Sequence, residues 1–145
     1  MYLLPLLACC IAIGYTARVH VLRVGERGPA FRMAEGEIFS LYYIHSMYGV
    51  PVTEKIRVEN GHLTLYHIVS SEAALEYFGI EKNGENNAGR ALVEFSIPRA
   101  SIGNHELRIK HRKIRVRELA GQDEPVRITL ANIPFTSYVA ERVWR

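Results

Sequence analysis

The sequence predicts an all-β fold, an antiparallel β-sandwich or small barrel with one short helix, behind an N-terminal apolar segment. Three observations carry that expectation. After residue 18, apolar and polar side chains alternate in run after run, with the two-residue period of a half-buried strand. Valines, isoleucines and eight tyrosines are spread along these runs, and such side chains suit a pleated surface. Asn60-Gly61 stands between two alternating runs. It is the strongest short hairpin signal, because a type I′ turn needs positive φ at both central positions.

Taken in order, the first strand is opened by Val19, Val21 and Val24 and closed by the glycines at 25 and 28. Further strands are predicted over 39–46, 52–59, 62–70, 91–97, 106–110, 114–119 and 126–131. Short strands at this spacing indicate a sandwich or barrel rather than βαβ units. A short helix is predicted over 71–78, with Ser70 or Ser71 as N-cap and Gly79 as its stop. The polar, glycine-rich stretch 81–90 reads as an exposed loop. The run 136–145 suits either a last strand or a short amphipathic helix.

Residues 1–17 carry no charged side chain, and Arg18 follows. That length lies at the lower edge of the ~17–25 residues that span a bilayer as a helix. It also suits a signal-peptide core, although the basic start of such a signal is missing. Leu6-Leu7-Ala8-Cys9 resembles a bacterial lipoprotein box, and a buried first element of the domain is the remaining alternative. The expected organisation is a membrane anchor or signal over 1–17 and a single β domain over 18–145. Cys9 and Cys10 both fall in the first part, so the domain has neither a disulfide framework nor a thiolate metal site. Arg18, Arg23, Arg27 and Arg32 would by the positive-inside rule stay cytoplasmic.

Read as a regular hairpin, the Asn60-Gly61 turn pairs Val58 with Leu63, Ile56 with Leu65 and Glu54 with His67. Val52, Glu54, Ile56 and Val58 then share the core face with Leu63, Leu65, His67 and Val69. Tyr43 and His45 lie on the corresponding face of the preceding strand. A carboxylate on such a surface needs a partner, and His67 is the expected one. The candidate ligand-binding residues are therefore Tyr43, His45, Ser46, Glu54 and His67. A structural Glu–His hydrogen bond and a metal site from His45, Glu54 and His67 are the competing readings, the latter with no recognisable metal spacing. Catalysis by Ser46 with His45 as base is disfavoured, because neighbours on a strand point to opposite faces.

The run Tyr43-Ile44-His45-Ser46-Met47-Tyr48-Gly49-Val50-Pro51-Val52-Thr53-Glu54 resembles the signature of a family of small extracytoplasmic proteins of unknown function. The genes of that family neighbour TAXI-type TRAP solute transporters. Its Tyr-x-His-Ser strand end and Pro-Val-x-Glu strand start fall here on Tyr43, His45, Ser46, Pro51, Val52 and Glu54. The stretch from Asn104 to Ile109, followed by Ile114, resembles its later paired strands. Where family members often carry a glycine-rich stretch, this chain has Ser71-Glu72-Ala73-Ala74-Leu75. The resemblance implies a location outside the cytoplasmic membrane and a role accessory to solute uptake, in conflict with the cytoplasmic placement that the positive-inside rule gives Arg18, Arg23, Arg27 and Arg32.

Residues 104–118 are the most charged stretch. With Ile109 opposite Ile114, Arg108, Lys110, Lys113, Arg115 and Arg117 gather on the outer face. Like charges across a strand pair repel, and an anionic partner such as lipid headgroups or an acidic protein surface would relieve them. Nucleic acid is not expected, because no aromatic residue in this stretch offers a stacking platform. The resulting expectation is a membrane-tethered, extracytoplasmic binding or accessory module for a TRAP-type transporter, with neither cofactor nor metal. A small-ligand or metal binder using the His/Glu cluster is the alternative. An enzyme is not expected, since no phosphate loop, nucleophile elbow or paired-acid spacing stands out.

Overall fold

The computed structural model describes residues 16–26, 28–80, 90–92, 95–98, 103–119 and 124–143. The apolar segment up to residue 15 and the loop 81–89 lie outside the described residues. The described chain forms two antiparallel sheets. The smaller contains β1 (Arg18–Val24), β2 (Ala30–Met33), β7 (Phe95–Ile97) and β10 (Val126–Pro134), in the order β2-β1-β10-β7. The larger contains β3 (Ile38–Ile44), β4 (Pro51–Glu59), β5 (His62–Val69), β6 (Arg90–Leu92), β8 (Glu106–Ile109) and β9 (Arg112–Arg115), in the order β6-β5-β4-β3-β8-β9. The sheets pack face to face without closing, so the fold is a sandwich and not a barrel.

Alternation places the core. Leu22, Val24, Met33, Ile97, Val126 and Ile128 from the small sheet meet Phe39, Leu41, Ile56, Val58, Leu63, Leu107 and Ile109 from the large one. Each such side chain contributes roughly 1.5–3 kcal/mol by leaving water. The region read as one strand over 91–97 serves both layers. Its first part, β6, pairs with β5, and its last part, β7, pairs with β10.

The short helix α1 (Glu72–Tyr77) forms where its caps require. The Ser71 hydroxyl accepts the Ala74 N–H at 3.4 Å, and Gly79 with φ +71° lets the chain turn back so that Ile80 N–H reaches the Leu75 carbonyl at 2.9 Å. Ser71→Ala is expected to cost about 0.5–1 kcal/mol, read as a lower urea midpoint with unchanged slope. The C-terminal run is a helix, α2 (Phe135–Val143), following β10 directly. Among the described residues no helix is long and apolar enough to cross a membrane.

Two register expectations are corrected. In the β4–β5 hairpin, Asn60 and Gly61 have φ of 53° and 74°, and Val58↔Leu63 and Ile56↔Leu65 pair as expected. The register then shifts, so that Lys55 faces His67 and Glu54 faces Ile68. Tyr66 is the extra residue of a β-bulge. It lies under the Arg57 guanidinium, 4.3 Å from ring centroid to Cζ, and beside the His67 ring. Beyond the bulge the faces exchange: Ile68 is 7% exposed and Val69 is 47% exposed. The bulge thus puts an apolar side chain opposite Glu54, where a regular ladder would bury a second ionisable group.

The basic hairpin turns through two residues, Lys110 and His111, with Leu107 opposite Ile114 and Ile109 opposite Arg112. The expected Ile109–Ile114 pair would have needed a longer loop. Lys110, at φ +54°, leaves the outer face; its Nζ donates to the Arg32 carbonyl at 2.8 Å and lies 3.3 Å from Glu37. Arg108 binds Glu106 at 2.7 Å and Arg115 lies 3.7 Å from Glu118. Much of the anticipated repulsion is therefore relieved within the chain. Lys113 lies across from Arg108, and Arg117 sits in the 3-10 turn Val116–Glu118 that follows β9.

Candidate functional site: a cleft around Glu54

Glu54 lies on β4 opposite Leu41 of β3, and Tyr43 of β3 lies opposite Val52. The two side chains are thus diagonal neighbours on one face, within reach of each other. The Tyr43 hydroxyl donates to Glu54 Oε1 at 2.8 Å. The acid therefore has a partner, but it is the tyrosine and not His67. His67 faces the other side of the sheet, next to Tyr66. With it goes the proposed metal set, and among the described residues no group of three His, Cys, Asp or Glu side chains is arranged to hold a metal ion.

A cleft of about 620 Å³ opens over this pair, lined from both sheets. Leu41, Tyr43 and Glu54 come from the large sheet, Phe95, Ser96 and Ile97 from the small one, and Phe78 from the end of α1. Asn104 and His105, just before β8, close another side. The His105 ring stacks on Tyr43 with centroids 4.7 Å apart and planes 16° from parallel. The sequence reading missed this histidine as a site residue. Its clue was the Gly-Asn-His turn leading into a strand that pairs with the one carrying Tyr43.

His45 and Ser46 lie just past the end of β3, in the loop to β4, and both line the cleft. The His45 N–H donates to the Val50 carbonyl and its own carbonyl accepts from Gly49, each at 2.8 Å, which fixes the loop. Its ring packs against Tyr48, Tyr77 and Phe78 with centroids 5.3–5.5 Å apart. The His45 Nδ1 is buried without a hydrogen-bond partner, so it does not hold the Ser46 hydroxyl.

No family model, no curated protein and no solved structure matches the chain. The chemistry of the cleft must therefore be read from its own groups.

Burial pushes the Glu54 carboxyl above its ordinary value, and the hydrogen bond from Tyr43 opposes that only in part. Burial, with the adjoining Glu54 carboxylate, pushes the Tyr43 hydroxyl far above its usual range, which keeps it a donor. No lysine or arginine is among the described residues that line the cleft. The site therefore combines a half-satisfied acid, a fixed phenol, several aromatic faces, and small polar groups at Ser46 and Asn104. A carboxylate retains acceptor capacity after one hydrogen bond. Such a site can take a donor group, and a positively charged one would be favoured most.

Proposed function

We propose that the chain is a β-sandwich binding module whose cleft takes a small ligand presenting an ammonium or similar cationic donor to Glu54. The observation that carries this reading is the Glu54 carboxyl, largely buried with only the Tyr43 hydroxyl bonded to it among the described residues. A cationic ligand group would supply the missing countercharge. The rings of Tyr43, His105, Phe78 and Phe95 offer it aromatic surface, which favours cations. The cleft volume lies in the range of small-molecule sites.

A thermal-shift comparison of benzylamine, benzyl alcohol and benzoate tests the reading, because the three share a skeleton and differ in charge. Benzylamine is expected to raise the melting temperature, and Glu54→Gln to abolish that rise. Equal responses to all three compounds, or a response to benzoate alone, would remove the cationic-ligand assignment.

A second reading concerns location and partner. The uncharged residues 1–17 and the Tyr43-to-Glu54 motif favour a module tethered at the outer face of a membrane beside a TRAP-type solute transporter. The motif contributes Tyr43, His45, Ser46 and Glu54 to the same cleft, which fits a role in handling a solute. Co-enrichment of the tagged full chain with transporter subunits from native membranes is the expected result. Repeated failure to co-enrich would argue against the partnership without touching the ligand site.

A further inference from the structure

The helix α2 carries an apolar stripe that nothing in the described chain covers. Phe135, Val139 and Val143 are spaced four residues apart, so they lie along one side of the helix. They are 38%, 42% and 72% exposed. The opposite side is fixed to the domain, where Arg23 Nη2 of β1 binds both carboxylate oxygens of Glu141 at 2.7 and 2.8 Å. The helix therefore presents the stripe outward as a rigid feature.

The path of the chain indicates what meets it. The Phe135 N–H, at the first residue of α2, donates to the Ala17 carbonyl at 2.8 Å. The uncharged stretch 1–15 thus joins the described domain right beside the start of the stripe. Arg18 and Arg142, both exposed, stand near the two ends of α2. Trp144, the only tryptophan, follows Val143 in the sequence. Apolar side chains on one helix face with cations beside them are the composition of an interfacial helix, and a tryptophan next in sequence suits the same boundary.

We infer that the Phe135–Val139–Val143 stripe rests on the surface of a lipid bilayer, docked there by the adjoining residues 1–15. The inference rests on the membrane-tether reading. Three side chains alone would bind a bilayer weakly, but tethering makes the contact intramolecular and raises its effective concentration. Docking also sets the orientation of the cleft. β10 runs nine residues from Val126, which pairs with Ile97 at the cleft, to Pro134 at α2. At ~3.4 Å per residue the cleft lies roughly 25 Å from the docked end.

Trp144 provides the readout. The full chain is reconstituted with vesicles of phosphatidylcholine and phosphatidylglycerol, with or without bromine on the acyl chains, and followed by flotation and fluorescence. The expected result is that the protein floats with the vesicles and brominated lipid quenches most of the Trp144 emission. Val139→Asp combined with Val143→Asp should still float through residues 1–15 but lose most of the quenching. Flotation of the unaltered chain without quenching, or quenching undiminished in the double variant, would overturn the docking and leave the tether intact. Failure to float would overturn both. A blue-shifted Trp144 emission in lipid-free buffer that vesicles leave unchanged would mean that the chain's own N-terminal segment or a second copy covers the stripe, and would also overturn it.

Discussion

Ile68→Asp is expected to destabilise the domain by at least about 3 kcal/mol, while His67→Asp, one residue earlier, changes stability by no more than about 1 kcal/mol. The contrast follows from the bulge at Tyr66. Ile68 faces Glu54 and is buried, whereas His67 faces Lys55 on the outer side of the large sheet. Truncating a buried isoleucine alone costs about 2–5 kcal/mol. An aspartate there would add the desolvation of a second carboxyl beside Glu54. An aspartate at 67 would instead sit across from a lysine, a mildly favourable pair. Urea unfolding of the two variants measures the difference, with the slope as a check on two-state behaviour. A regular hairpin would reverse the order, so the experiment decides the register directly.

That hairpin also marks how far the sequence could be read. The turn was legible because Asn-Gly has few other uses, and the first pairs beyond it followed from alternation. The bulge was not, because a one-residue insertion leaves local composition unchanged while exchanging every later face. The helix α1 was legible through Ser71 and Gly79, whose roles are local. The strand β2 was missed; it has four residues at a sheet edge and owes its place to pairing with β1. The register of the basic hairpin was not legible either, because its two-residue turn puts Lys110 at a positive φ that nothing in the local sequence signals.

The candidate site divides in the same way. Tyr43, His45, Ser46 and Glu54 do line one cleft, because a single tight β3–β4 connection brings them together and alternation within each strand then sets their faces. His105, just before β8, and Phe95, on β7, join from parts of the chain whose positions only the fold determines. The acid was recognised as needing a partner, and that physical requirement held. Only the identity of the partner depended on the register.

Glu54→Gln is expected to make the ligand-free protein more stable at pH 7 by about 1–3 kcal/mol, the usual scale for relieving a buried polar group. Burial raises the folded-state value of this carboxyl above its ordinary 4.5. The folded protein therefore prefers the protonated acid. That stabilisation is full below the unfolded-state value and is lost as pH rises through the higher folded-state value. Glutamine stays neutral throughout and still accepts the Tyr43 hydroxyl through its amide oxygen. The two proteins differ in this one ionisable group, so the difference between the two stability–pH curves isolates Glu54. It should open as pH rises from 4.5 and then level off, in melting temperatures taken at fixed ionic strength. Adding a cationic ligand should narrow the gap from the other side, because an ammonium stabilises the carboxylate in the folded state and does nothing for glutamine. A protein that gains stability by losing its acid, and recovers it on binding a cation, keeps Glu54 for the ligand and not for the fold.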